Sequence, residues 1–88
     1  YRRIRGAILK LLVHEHPGAI DLKVLHFLLD DLGYTISEEE LNSHIVYLQE
    51  GELLTLNKRK MGIEMVTILR KGINIVDEFE KDVGVDVR

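Results

Sequence analysis

Histidine and carboxylate side chains are the residues of this 88-residue chain best suited to chemistry, because the chain has no cysteine. His14 and His16 flank Glu15 just before a proline, whereas His26 and His44 are isolated. A zinc site needs three or four converging ligands. The sequence shows no such convergence, so we expect surface or half-buried histidines and no bound metal.

Catalytic motifs are not recognisable in the sequence. It has no Gly-rich phosphate loop, no nucleophile with a plausible base and no isolated pair of carboxylates in an apolar setting. The lack of cysteine also rules out a disulfide framework. We therefore expect a protein that is not an enzyme and that needs no cofactor.

Charge is distributed unevenly along the chain, although the net charge is only −3. Domains dedicated to nucleic acid are usually basic, so this net charge argues mildly against unspecific DNA binding. Two clusters are basic and two are acidic. The basic clusters are Arg2, Arg3, Arg5 and Lys10 near the start and Lys58, Arg59 and Lys60 later; the acidic ones are Glu38–Glu40 and Asp77, Glu78, Glu80 and Asp82.

Length and hydropathy indicate one small domain. At 88 residues and 45% hydrophobic content, such a chain buries roughly 60–65% of its unfolded surface. No apolar run approaches the ~18 residues of a membrane span, and no signal peptide is visible. We expect a cytoplasmic domain that does not interact with membranes. Because the chain begins at Tyr1 rather than Met, it can be a fragment.

The most clearly specified element is a helix after Ser37. Ser37 and Glu40 have the spacing of a capping box, in which each side chain bonds to the backbone amide of the other residue. Leu41, Ile45 and Leu48 recur at helical spacing and predict a buried stripe. Gly51 is placed to end the helix in the left-handed conformation.

The remaining pattern predicts the order α-α-α-β-β-α. A first helix spans residues 2–15, and Asp21 caps a second that stops at Gly33, with residues 19–20 as a possible minimal strand. Residues 52–57 and 63–70 are expected to be strands around a loop at 58–62, here named the wing loop. The predicted last helix begins at 71–72, with an apolar stripe at Ile73, Val76, Phe79 and Val83, and residues 85–88 form a tail.

Three features of this order resemble a known fold. They are the Leu-Gly-Tyr-x-Ile-Ser turn from Leu32 to Ser37, the apolar helix from Leu41 to Gly51, and the Lys-Gly start of the last helix. Over nearly the whole chain, the sequence resembles a winged helix-turn-helix domain, and most of all the short ArsR-like winged-helix proteins of Mu-like prophages. The implied fold is α+β, with a three-helix core, a two-stranded wing and a C-terminal helix, over residues 1–84.

The resemblance implies a sequence-specific transcriptional regulator that binds double-stranded DNA. In such domains the third helix enters the major groove and reads base edges. The residues implied to contact DNA are Asn42, Ser43, Val46 and Tyr47 on this helix, Lys58, Arg59 and Lys60 on the wing, and Arg2, Arg3 and Arg5 on the first helix. The carboxylates of Glu38–Glu40 weaken this interpretation, because they suit the helix dipole but repel phosphate.

The resemblance also implies a homodimer formed by the first and last helices. Apolar residues in surplus of one small core are expected at its interface, namely Leu9, Val13, Ile73 and Phe79. Packing of the two helices within one subunit is the alternative. A winged helix that binds a protein partner instead of DNA is the main alternative function, favoured by the acidic third helix and by Phe27 on the outer side of the second.

Overall fold

The computed structural model describes residues 1–88 as four α-helices and one antiparallel sheet. The elements are α1 (Arg2–Glu15), β1 (Ile20–Asp21), α2 (Leu22–Asp31), α3 (Glu38–Glu50), β2 (Leu54–Lys58), β3 (Glu64–Ile68) and α4 (Arg70–Val76). This confirms the predicted α+β fold, with α1–α3 as the helical core, the β2–β3 hairpin as the wing and α4 at the end. No helix is long and apolar enough to cross a membrane.

The central strand of the sheet is β3, which pairs antiparallel with β1 on one side and β2 on the other. Leu54 of β2 faces Ile68 of β3 where the hairpin leaves the helical core. On the opposite edge Ile20 faces Val66. The possible strand at 19–20 therefore exists, one residue later, and the wing belongs to a three-stranded sheet rather than a free ribbon.

A single apolar core receives side chains from every α-helix and every strand. The predicted stripe of α3 is confirmed, since Leu41, Ile45 and Leu48 are all 2% exposed or less. Phe27 is 67% exposed on the outer side of α2, as predicted. His44 is the one buried polar residue. The core thus fixes which face of α3 is left to solvent.

Side chains cap the N-termini of α2 and α3. The carboxylate of Asp21 accepts a hydrogen bond from the amide of Lys23 at 2.8 Å, and the hydroxyl of Ser37 accepts one from the amide of Glu40 at 3.1 Å. The predicted return bond from Glu40 to the amide of Ser37 is not formed. Instead the Ser37 hydroxyl donates to the Glu40 carboxylate at 3.4 Å, so half of the capping box is confirmed.

The C-terminus of α3 differs from the prediction by one residue. Gly51 has an ordinary φ of −79°, and Glu52 takes the left-handed φ of 61°. The amide of Leu53 then donates to the carbonyl oxygen of Leu48 at 2.9 Å, which is the long bond of a Schellman motif. The end of α2 is as predicted, because Gly33 is left-handed with φ 97°.

The last helix is shorter than predicted, and its predicted apolar stripe is wrong beyond Val76. After α4, Glu78 takes a left-handed φ of 62°, and the amide of Phe79 donates to the carbonyl oxygen of Asn74 at 2.9 Å. This turn ends the helix before the stripe is complete. Phe79 and Val83 are therefore 81% and 90% exposed.

Residues 85–88, predicted as a tail, pack back onto α1. Val85 is 6% exposed and belongs to the core. The amide of Asp86 donates to the carbonyl oxygen of Arg2 at 2.9 Å. Gly6 makes this approach possible, because a Cβ atom there would overlap the carbonyl group of Asp86. Val85 and Asp86 are therefore packed against the domain and do not form a free tail.

Alanine substitution of two glycines tests these helix ends. Gly33→Ala should lower the free energy of unfolding by about 1 kcal/mol, because a left-handed φ costs an L-residue roughly 1–2 kcal/mol. Gly51→Ala should raise it by about 0.4–1 kcal/mol, because its φ suits alanine and the unfolded chain loses freedom. Urea denaturation measures both. A larger loss at Gly51 than at Gly33 would contradict the left-handed assignment of Glu52.

Candidate nucleic-acid interface

Three of the four residues predicted to read bases lie on the outer face of α3. Asn42 and Ser43 are exposed, and Val46 is 52% exposed. Their outward direction follows from the stripe of α3 that the core buries, because positions on the other side of the helix must face solvent. The N-terminal half of this face begins at the Ser37 cap.

The wing loop presents the predicted cluster of cations. Lys58, Arg59 and Lys60 are all exposed, and none of their side chains forms a hydrogen bond or an ion pair within the chain. A 3₁₀ turn shapes the loop, in which Met61 has a left-handed φ of 64° and is 96% exposed. The loop can therefore reach a polyanion without breaking internal contacts.

A groove of 270 Å³ connects α3 with the wing loop. Asn42 lies on its α3 wall and Met61 on its wing wall, so the structure brings these two predicted elements to one side of the molecule. The remaining wall is the first turn and a half of α2. The lining residues are Asp21, Leu22, Lys23, His26, Glu38, Leu41, Asn42, Met61, Gly62, Ile63 and Glu64.

The charge around this groove is divided. Asp21, Glu38 and Glu64 bring three carboxylates to its lining, and Lys23 is its one ammonium group. The carboxylates at the start of α3 are favourable for that helix, because they lie at the positive end of its dipole. The positive charge of the region is therefore concentrated in the wing loop rather than on α3.

Tyr47, predicted to contact DNA, instead faces the C-terminal segment. Its phenol donates a hydrogen bond to the carboxylate of Asp82 at 2.7 Å, and this bond raises the pKa of Tyr47. The guanidinium of Arg5 lies 3.7 Å from the centre of the Tyr47 ring. Tyr47 is half-buried, its hydroxyl is bonded to Asp82 and its ring is covered by Arg5. It is therefore not available to DNA bases in this structure.

Arg5 is likewise engaged within the chain rather than free for phosphate. Its Nε donates to Nδ1 of His44 at 3.1 Å, and one terminal nitrogen donates to the carbonyl oxygen of Gly84 at 3.4 Å. This network was not predicted from the sequence. The signal for it was weak: His44 borders the apolar stripe of α3, but its partner on α1 is 39 residues away.

Arg2 and Arg3 are exposed at the start of α1, as the predicted phosphate contacts require. They do not line the groove that holds Asn42. Arg3 lies instead on a separate groove of 520 Å³ beside Lys10, Leu32 and Tyr34. The structure thus brings α3 and the wing together as one candidate surface and leaves the first helix outside it.

The histidines are dispersed. His14 and His16 are exposed, and Nε2 of His26 lies 2.7 Å from the carbonyl oxygen of Ile36. No group of three or more His, Asp or Glu side chains is placed to hold a metal ion.

The residues predicted for a dimer interface do not form one surface. Leu9 is fully buried in the core, so its assignment to an interface is wrong. Val13 and Ile73 are half-buried against the same core. Phe79 is exposed, but it lies beyond the end of α4. Of the four residues predicted for the interface, Phe79 is the one that is mostly exposed.

Comparison with known protein families, with curated proteins and with solved structures finds no match.

Two substitutions separate folding from assembly. Leu9→Ala should cost roughly 2–5 kcal/mol of unfolding free energy through the cavity it leaves, without a specific effect on subunit association. Phe79→Ser should leave the urea midpoint nearly unchanged and dissociate a dimer, if one forms through this turn. Light scattering across a dilution series reports the mass. Val83→Ser, at an equally exposed position, is the control, and loss of the dimer in both variants would contradict a specific role for Phe79.

Proposed function

We propose that this protein is a DNA-binding regulator of transcription, of the kind found in prophages, which binds double-stranded DNA as a homodimer and catalyses no reaction. The observation that carries the proposal is the position of the wing loop. Its three unpaired cations directly precede Met61 and Gly62, which line the groove that has Asn42 on its other wall. A phosphate contact and a base contact can therefore be made from the same side of the molecule.

In this proposal the wing holds the DNA and α3 reads it. Contacts of Lys58, Arg59 and Lys60 with phosphate oxygens fix the position of the domain on the duplex but carry no sequence information. They also supply the salt-dependent part of the affinity, because each neutralised phosphate releases counterions. The carboxylates around the groove repel DNA phosphates, so contacts with the DNA backbone are confined to the wing.

Specificity is assigned to exposed residues in the first three turns of α3. Asn42 has an amide that can bond to N6 and N7 of adenine in a bidentate manner. Ser43 can donate to a base edge or a phosphate, and Val46 can contact the methyl group of thymine. Tyr47 is not included, because its hydroxyl is bonded to Asp82.

Neutralising the wing loop tests the phosphate contacts. Replacement of Lys58, Arg59 and Lys60 by alanine should reduce the slope of log affinity against log salt by up to about 3 units, with sequence preference largely retained. Fluorescence anisotropy with a labelled duplex at several salt concentrations measures the slope. The matched control replaces Lys10, Arg70 and Lys71, three exposed cations away from the wing loop, and should leave the slope nearly unchanged. Equal effects of the two triple variants would contradict the proposal.

Asn42→Ala tests base reading. The variant should lose about 1–3 kcal/mol of affinity for the preferred site and keep its salt slope, because a bidentate base contact discriminates sequence without adding charge neutralisation. Gln49→Ala removes an exposed amide two turns further along α3 and should have little effect. If Asn42→Ala weakened preferred and random duplexes equally, Asn42 would not be a base-reading residue.

The second candidate function is a protein-interaction module that does not bind DNA. It is favoured by apolar side chains around an acidic groove, since Met61 is 96% and Ile63 44% exposed beside three carboxylates. A random duplex at low salt separates the two functions, because the electrostatic contribution is then strongest. No binding under that condition would rule out the regulator and leave the protein partner.

A further inference from the structure

A polar network joins the start of α1, the second half of α3 and the C-terminal segment (residues 82–88). Its centre is Arg5, which donates to Nδ1 of His44 at 3.1 Å and to the carbonyl oxygen of Gly84 at 3.4 Å. Asp82 continues the network, since one carboxylate oxygen accepts from the Tyr47 phenol at 2.7 Å and from the Gly84 amide at 2.8 Å.

The aromatic and charged groups of this network are closely packed. The ring of Tyr47 lies against the Arg5 guanidinium, 3.7 Å from its carbon. A Cβ atom at Gly84 would overlap the Tyr47 hydroxyl. His44 is 2% exposed, and its ring meets that of Tyr1 edge to face at 5.2 Å. Loss of the bond between Arg5 and His44 therefore disturbs the contacts of the C-terminal segment as well.

The bond from Arg5 fixes the protonation state of His44. Because Nε of Arg5 is always a donor, Nδ1 of His44 must accept and cannot carry a proton. The single proton of the neutral ring is then on Nε2, which is buried without a hydrogen-bond partner. A second proton has to go to Nδ1, where it would face the N–H group of a permanent cation. Protonation of His44 is thus unfavourable in this arrangement.

We propose that His44 operates a proton-dependent latch: its protonation expels Arg5 and releases residues 82–88 from α1 and α3. Released, the segment no longer covers Tyr47, and both the phenol and the Arg5 guanidinium become accessible. Val85 is the one residue of the buried core that lies in this segment. The latch is independent of the proposed DNA binding.

The charged groups that face His44 come from two helices and the chain start. Arg5 lies on α1, Glu40 on α3, and the α-amino group is that of Tyr1. Burial, followed by Arg5 and the α-amino group, lowers the pKa of His44 from 6.5, and Glu40 opposes this shift. Asp82 bonds to Tyr47 and Gly84 and is the carboxylate of the latch.

The sign of the pH effect follows from these contacts. In the released form His44 meets solvent and its pKa returns toward 6.5, so the released form binds the proton more strongly than the closed form. The closed latch is fully stable above pH 6.5 and weakens as the pH falls toward the lowered pKa. Between the two pKa values the ratio of released to closed molecules rises by up to about tenfold per pH unit.

Amide NMR spectra between pH 7.5 and 4.5 test the latch. Gly84 and Asp86 report the closed state, because their amides donate to Asp82 and to the carbonyl oxygen of Arg2. We expect both amides to shift and lose protection from hydrogen exchange, with a midpoint below pH 6.5 that matches the titration of the His44 ring. Val66 in the central strand serves as the internal reference and should stay protected.

Two variants assign the titrating group. His44→Asn keeps an acceptor near the position of Nδ1 and cannot be protonated, so it should abolish the response of Gly84 and Asp86. Asp82→Asn keeps the acceptor for Tyr47 and should retain the response. The opposite pattern would assign the transition to Asp82 and overturn the proposal. If His44→Asn does not fold, the pH titration of the wild-type protein is the test. Different midpoints for the His44 ring and the Gly84 amide, or no change in the Gly84 amide shift, would refute the latch.

Discussion

The burial of one side of α3 is the constraint on which the rest of the structure depends. Leu41, Ile45 and Leu48 are taken up by the core, so a helix with this stripe has one rotation that the domain can accept. That rotation turns Asn42 and Val46 to solvent. It also directs His44 toward α1. The candidate interface and the buried network are therefore two results of the same packing.

Local sequence signals were sufficient for the parts of the fold that are determined locally. The Ser37 cap, the left-handed Gly33 and the stripe of α3 each depend on residues within a few positions of one another, and all three are present. Such reasoning fails at the end of α3. Gly51 was the better candidate for the left-handed position, but the helix runs one residue further, so Glu52 takes that position instead. Similarly, the apolar stripe predicted through Phe79 gives no sign that the helix ends in a turn at Glu78.

The sequence was sufficient to predict the kinds of side chain at the candidate site, but not which residues belong to it. The type and exposure of Lys58–Lys60 and Asn42 followed from the sequence, because turns and outward helix positions are exposed. Arg5 and Tyr47 were assigned to the same surface by their positions along two helices. Their actual contacts involve Asp82 and Gly84, and no pattern in the sequence connects residues so far apart. Polar contacts between residues distant in the sequence can be recognised only from the three-dimensional structure.

The central position of β3 has a mechanical consequence for the wing. A two-stranded hairpin that projects from a core can bend as a flap, whereas β3 is held on both edges, by β2 and by the Ile20–Val66 pairing with β1. The wing is thus preorganised relative to α2 and α3, and little conformational entropy remains to be lost when its loop meets a partner. A change at Ile20, which lies outside the wing loop, would therefore loosen the strand pairing that holds the hairpin in position.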